Sequence, residues 1–427
     1  MTDALGITPL AEPLDADVDV PGSKSITNRA LLCAAMATGR STLENVLFAD
    51  DTEAMLECLQ RLGVALVIDR TAQRVTVDGV AGAIVAHDVR LDARFSGTTA
   101  RFLAPALAVA EGRATLDGAA QLRGRPMAPL IGALATLGAS ITEMGEPGRL
   151  PLVIEGRPLR GGRVRLRGDV SSQFASGLML AAPLMTAGLS IEISGAAVSR
   201  PYLELTGAVM RAFGGVVDGL DVAPGGYHGV DPFTVEPDAS GASYFFAAAV
   251  IAGGRVRVRG LGNDSAQGDL GFVDVLEQMG ATVERCGEYT EVRRGSELNG
   301  IDVDLADLSD TAPTLAVVAA FATGPTRVRG IGFIRTKESD RIAAVVNELR
   351  RCGVEASEHD DGFSVTGGRP HGVRIATYND HRIAMSFALI GLAVPGIEID
   401  DPGCVAKTYP GFFAVLDALG RKTKQVG

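Results

Sequence analysis

Eleven basic side chains stand in, or just after, polar Gly- or Ser-rich loops: Lys24, Arg29, Arg101, Arg123, Arg125, Arg200, Arg335, Lys337, Arg341, Arg382 and Lys407. The chain is acidic overall, with 40 Lys and Arg against 51 Asp and Glu and a net charge of −11. An acidic protein that gathers cations at a few loops is suited to hold small polyanions, phosphates or carboxylates. The same net charge argues against nucleic acid or an anionic membrane as a bulk partner. Carboxylates join the cations in two places. Asp310 precedes an apolar helix in LSDTAP (308–313), and Glu338 lies within RTKESDR (335–341), beside Lys337 and Arg341. A carboxylate so placed could exchange a proton with a bound substrate. YNDHR (378–382) supplies His381, and SSQF (171–174) offers two hydroxyls and an amide to a phosphate or polyol.

Each motif also has a purely structural interpretation. Ser25 could cap the helix that follows PGSKSITNR (21–29), with Lys24 incidental, although a cation at a helix start is disfavoured unless an anion lies beside it. The Ser pair of SSQF and Asp310 could be helix caps, and Glu338 with Arg341 an i,i+3 pair on a surface helix. Other chemistry finds no support. GxxxxGK[ST] is not matched, CxxC, HxxxH and GxSxG are absent, and the remaining histidines (His87, His228, His359, His371) show no ligand spacing. No metal is expected.

These loops belong to a repeat. Six segments share one pattern of strand, polar loop and Ala/Leu-rich helix, ending at Gly39, Gly112, Gly188, Gly253, Gly324 and Gly396. Self-similarity of this kind marks one supersecondary unit used repeatedly, each copy burying its apolar face against the others. After each glycine comes a β-rich stretch, and then a second, amphipathic helix with i, i+3, i+4 apolar spacing; FFAVLDALGRK near the C-terminus is the sixth. The pattern predicts an α/β protein of six βαββαβ repeats in two lobes of three. The N-terminal strand joins repeats four to six, giving 1–23 with 241–427 as one lobe and 24–240 as the other. Two short crossings imply a hinge and an inter-lobe cleft.

The bulk properties agree. The chain has 427 residues, enough for real cores, with 46% hydrophobic residues, 53 Gly and no Trp. Five cysteines without a CxxC pair, and no basic-then-apolar leader at the N-terminus, point to a reduced, cytoplasmic protein. The most apolar stretch, 174–188, is interrupted by Pro183 and is too short for a membrane span.

Taken together, PGSKSxxNR, SGTTxR, Arg125–Pro126, SSQF, SRPY (199–202), EPDASxASYF, QGD (267–269), SDxAxT, KESDR, YNDHRxAM and AKTYP resemble the 5-enolpyruvylshikimate-3-phosphate (EPSP) synthase family over the whole chain. The resemblance implies the two-lobed enolpyruvyl transferase fold, an inverse α/β-barrel-like arrangement of the six repeats. It also implies a reaction of the shikimate pathway: phosphoenolpyruvate joins the 5-hydroxyl of shikimate-3-phosphate through a tetrahedral intermediate, with loss of phosphate. No cofactor takes part, and the partners are these two small molecules, met by a monomer.

By the same resemblance Lys24, Ser25, Arg29, Ser171, Ser172, Gln173, Ser199, Tyr202, Asp310 and Lys337 would bind shikimate-3-phosphate. Lys24, Gly97, Arg125, Gln173, Glu338, Arg341, Arg382 and Lys407 would bind phosphoenolpyruvate. Asp310 would take the hydroxyl proton, and Glu338 would deliver one to the methylene carbon and later remove one. Lys337, His381 and Lys24 would tune charge. Arg94-Phe95 replaces the family's Gly-Asn before the SGT motif, and Phe333 stands where a polar residue is common; both bear on substrate choice. With Gly97 present, glyphosate is expected to enter the phosphoenolpyruvate site. Within the enolpyruvyl transferases, the relative acting on UDP-N-acetylglucosamine carries a loop cysteine, which 111–126 lacks. The motifs also admit a paralogue that acts on a modified cyclitol phosphate, or one that binds such a compound without catalysis.

Overall fold

Of the six glycines expected to end the buried helices, only Gly253 caps its helix; the other five follow theirs by three to eight residues. In the computed structural model, which describes residues 4–195 and 198–422, all six lie at positive φ, from +65° at Gly188 to +98° at Gly112. A side chain at Gly112 would be strained twice: by that φ, and because its Cβ would fall 2.2 Å from the Ala86 carbonyl oxygen. Ahead of the glycines stand the helices Lys24–Met36, Gly97–Val109, Ser172–Ala181, Ala239–Ala252, Ala312–Ala319 and His381–Ala388. In Gly97–Val109, Ala312–Ala319 and His381–Ala388 every residue is buried. The second helix of each repeat is amphipathic: Asp50–Arg61, Ala128–Thr136, Pro201–Ala212, Phe272–Gln278, Arg341–Arg351 and Phe412–Lys422.

The sheets repeat one order, a parallel pair followed by an antiparallel hairpin. Val85–Asp92 runs parallel to Glu111–Asp117, which pairs antiparallel with Leu152–Gly156 and then Ser140–Glu143. Two of the parallel partners come from far along the chain. Leu14–Val18 lies against Gly254–Arg259, with Leu14 opposite Gly254, and Phe233–Thr234 lies against Arg40–Glu44. In the sixth repeat Leu5–Gly6 pairs antiparallel with Glu398–Ile399, whose parallel neighbour is Arg374–Ile375.

The chain divides into two compact units. One comprises Met1–Pro21 with Pro237–Gly427, and the other Gly22–Glu236. Their boundaries fall at 21/22 and 236/237, a few residues before the expected 23/24 and 240/241. EPDAS and QGD build the structure here. The Gln267 side chain donates to the Pro237 carbonyl (2.7 Å) and accepts from the Ala239 N–H (3.1 Å), while Asp238 caps Ala239–Ala252 through the Gly241 N–H (2.8 Å). Among the described residues no helix is long and apolar enough to cross a membrane.

Gly112→Ala is expected to lower the unfolding free energy by about 2–3 kcal/mol. Gly132, inside the helix Ala128–Thr136, has nothing within 4 Å of a Cβ. There Gly132→Ala should raise it by about 0.5–1 kcal/mol. Urea denaturation of the two variants measures both.

Candidate active site

In the unit holding Pro237–Gly427, the N-termini of the buried helices bring charged loops together. Asp310 lies in the 3-10 turn Ser309–Thr311 ahead of Ala312–Ala319, yet its carboxylate caps nothing. Instead it accepts from three cations: Lys337 Nζ (2.6 Å) and Arg341 Nη1 (3.1 Å) at Oδ1, and Arg382 Nη2 (2.7 Å) at Oδ2. The helix-cap interpretation of Asp310 therefore fails. Glu338 does form the i,i+3 pair with Arg341 (Nη2 to Oε2, 2.7 Å), and its Oε1 lies 3.4 Å from Lys407 Nζ. That pair is no surface feature, since Arg341 is 1% exposed.

Arg341 is the hub. Its Nε donates to Asp380 Oδ2 (2.8 Å) and its Nη2 to Asp380 Oδ1 (3.3 Å), while Nη1 and Nη2 reach Asp310 and Glu338. Asp380 also accepts from Ser339 Oγ (2.9 Å) and caps His381–Ala388 through the Arg382 N–H (3.0 Å). Burial alone would lower the Arg341 pKa, but the carboxylates of Asp380, Glu338 and Asp310 outweigh it and hold the guanidinium charged. Lys337 is shifted the other way: burial lowers its pKa and Asp310 only partly restores it. The Lys337 ammonium lies 5.7 Å from the centre of the Phe333 ring, so the unexpected Phe333 acts as a cation–π partner for this lysine. His381 is buried, and neither ring nitrogen has a hydrogen-bond partner. Burial, then Arg382, with Lys407 and Arg341 adding and Glu338 opposing, pushes its pKa well below the usual histidine range.

In the unit Gly22–Glu236, the cap of Lys24–Met36 is Ser23, accepting from the Ile26 N–H at 3.5 Å, and not Ser25. Lys24 starts that helix with the anion such a position calls for: Asp51 Oδ2 lies 3.5 Å from Nζ, and Asp51 is buried. Arg29, which the resemblance assigns to shikimate-3-phosphate, is tied firmly into the fold. It is 1% exposed, its guanidinium lies over the Phe102 ring, and its donors go to Thr206 Oγ1 (2.8 Å), Ser176 Oγ (3.3 Å) and the carbonyls of Ser25 (2.8 Å) and Tyr202 (3.3 Å). It is a strut between the helices that carry Ser25, Ser172 and Tyr202. Burial without a carboxylate lowers its pKa to about 10.

Ser171 caps Ser172–Ala181, accepting from the Gln173 N–H at 3.3 Å, so the cap interpretation holds for this serine. The Gln173 amide is set by Arg101, which donates to its Oε1 (2.6 Å) and to the Pro126 carbonyl (3.1 Å) and lies over Phe174. Arg125 is packed on Gly97: a Cβ there would fall 2.8 Å from Arg125 Nη1. Ser199 takes a left-handed conformation (φ +55°) in a turn closed by the Tyr202 N–H, 3.2 Å from its carbonyl oxygen.

Two of the eleven cations turn away from these groups. Arg123 pairs with Asp117 (2.6 Å), and Arg335 with Asp340 (2.9 Å) and Glu358 (3.0 Å). Arg94 likewise pairs with Glu57 on the surface. Sequence reasoning missed Asp51, Asp380 and the positioning function of Arg101. Asp380 and Arg101 lay inside motifs already singled out, YNDHR and SGTTxR, whereas Asp51 read only as the start of an amphipathic helix.

The carboxylates and cations of both units coincide with the motifs of one family. A family model described as EPSP synthase (3-phosphoshikimate 1-carboxyvinyltransferase) matches residues 10–416. The chain belongs to the EPSP synthase family. A 3-phosphoshikimate 1-carboxyvinyltransferase of Nostoc punctiforme is 43% identical over 416 residues, which cover 96% of this chain and 98% of the relative. The EPSP synthase of Acinetobacter baumannii has a structure that superposes with a TM-score of 0.83 at 30% identity, covering 98% of both chains. The enolpyruvyl transferase NikO of Streptomyces tendae, at 20% identity and a TM-score of 0.79 over 98% of this chain and 97% of its own, shares the fold.

With its pKa pushed well below the usual histidine range by burial and Arg382, the His381 imidazole is expected to be neutral at neutral pH. NMR of ring-labelled histidine reads this directly; a His381 shift that titrates at neutral pH would contradict it.

Proposed function

We propose that this EPSP synthase family member transfers the enolpyruvyl group of phosphoenolpyruvate to the 5-hydroxyl of shikimate-3-phosphate and releases phosphate. The observation that carries the mechanism is that one guanidinium holds both candidate proton-transfer groups. Arg341 Nη1 lies 3.1 Å from Asp310 and Nη2 lies 2.7 Å from Glu338. A rigid fork fixes the two carboxylates relative to each other, as acid–base chemistry at two neighbouring atoms requires.

Asp310 takes the proton of the attacking hydroxyl as its oxygen bonds to the central carbon of phosphoenolpyruvate. Glu338 delivers a proton to the methylene carbon, giving the tetrahedral intermediate. Loss of phosphate, which carries away the proton held by Asp310, and return of a methyl proton to Glu338 then restore the double bond. Arg125, Arg341, Arg382 and Lys407 balance the phosphoenolpyruvate carboxylate and phosphate, with Lys24 touching both substrates. Ser171, Ser172, Gln173, Ser199 and Tyr202 hold shikimate-3-phosphate, with Arg29 as the strut beneath Ser25 and Tyr202. Neutral His381 adds no charge to a site already rich in cations. Metal and organic cofactors have no part in this scheme, and the enzyme acts as a cytoplasmic monomer.

Phosphate release from the two substrates tests the proposal. The wild type should turn over, and Asp310→Asn and Glu338→Gln should each lower kcat by about 10²–10⁴-fold. A folded wild type that binds shikimate-3-phosphate but releases no phosphate would overturn it. Gly97→Ala, which pushes a methyl against the Arg125 guanidinium, should raise the KM for phosphoenolpyruvate by about tenfold or more. Its effect on the KM for shikimate-3-phosphate should be small, and steady-state kinetics with each substrate varied separates the two.

A further inference from the structure

Asp380, His381 and Arg382 stand on a loop that is costly to form. Tyr378 and Asn379 are consecutive non-glycine residues in the left-handed region, at φ +55° and +52°. Such conformations persist only where the surroundings impose them. Among these surroundings is one helix, Arg341–Arg351, which grips the passing chain at three points. Its first residue, Arg341, holds the Asp380 carboxylate (2.8 Å). Near its other end, Arg351 donates to the Arg374 carbonyl (2.6 Å). Between them stands Glu348, a carboxylate 1% exposed. Its Oε1 accepts from the Tyr378 hydroxyl (2.8 Å), and its Oε2 from the Ala376 N–H (3.1 Å) and from Arg351. Residues 341, 348 and 351 lie on one face of a helix, two turns and then one turn apart. They meet 380, then 376 and 378, then 374, so helix and loop run antiparallel, joined by polar contacts.

We infer that Glu348 is a positioning residue for this reaction. It touches neither the Asp310–Arg341–Glu338 cluster nor any group assigned to a substrate; through Ala376 and Tyr378 it holds the strained loop that aims Arg382 and His381 and presents Asp380 to Arg341. The inference rests on the proposed function, in which Arg341 and Arg382 bind phosphoenolpyruvate. It predicts a selective defect, because the residues assigned to shikimate-3-phosphate stand mostly on other elements.

Glu348→Ala, Glu348→Gln and Tyr378→Phe, assayed by steady-state kinetics and by hydrogen exchange over 376–382, test it. Glu348→Ala should raise the KM for phosphoenolpyruvate on the order of tenfold to a hundredfold. The KM for shikimate-3-phosphate should stay within about twofold, and amide exchange over 376–382 should accelerate. Glu348→Gln should restore most of the loss, since its amide oxygen can still accept from Ala376 and Arg351 while its NH₂ donates to the Tyr378 oxygen. Tyr378→Phe removes a single surface-reachable hydroxyl and should shift phosphoenolpyruvate KM the same way, by about threefold; it stands in should Glu348→Ala not fold. Unchanged exchange and phosphoenolpyruvate KM in Glu348→Ala would overturn the inference. So would an equal rise in both KM values, or a Gln variant as impaired as Ala. If the wild type released no phosphate, the functional reading would fall, and exchange over 376–382 would still decide the positioning role.

Discussion

A guanidinium removed from water is the constraint on which the unit holding Asp310 and Glu338 depends. Arg341 is among the most buried large side chains of the described residues, and an ion in that position is sustained only by opposite charge and hydrogen bonding. Asp380, Asp310 and Glu338 supply both. The turn 309–311, the start of helix Arg341–Arg351 and the cap of His381–Ala388 must therefore meet at one point. The position of each candidate proton carrier follows from the same ion. An arrangement of this kind adds little net stability, since desolvation offsets much of the attraction, but it leaves few conformations open to the loops that take part.

The unit Gly22–Glu236 meets the same problem with neutral groups. Arg29 is as buried as Arg341, yet its partners are hydroxyls and carbonyls. The two arginines shift in opposite directions: Arg341 is held more firmly charged, while Arg29 falls to about 10. The difference matches their roles. In the proposed reaction Arg341 sits among the carboxylates assigned to proton transfer, where a lasting positive charge is required as protons move. Arg29 ties three helices together, and hydrogen-bond geometry is all that this requires. Arg101 works as Arg29 does, fixing Gln173 and the backbone beside Arg125.

Such supports explain why the motifs of this family extend beyond groups able to touch a substrate. Gln267 and Asp238 belong to signature motifs yet secure the chain next to a unit boundary. Asp51 offers Lys24 a counter-charge, and the Asp51 carbonyl accepts from Thr99 Oγ1 (3.1 Å), so the lysine's partner is itself anchored.

The sequence by itself determined the repeat, the six positive-φ glycines that follow the buried helices, the α/β class and the loops that carry charge. These depend on interactions between near neighbours in the chain: side-chain periodicity, the steric freedom of glycine at positive φ, and the polarity of a loop before an apolar helix. It also singled out Asp310 and Glu338, because carboxylates among cations are visible as composition. Only the tertiary structure decided that Asp310 caps nothing, that Ser23 rather than Ser25 caps its helix, that Arg29 faces inward, and that Arg123 and Arg335 turn to surface acids. It alone revealed Asp51, Asp380 and Glu348 as partners. Which carboxylate meets which cation depends on separations of a few ångströms between residues distant in sequence, and that distance exists only once the helices have packed.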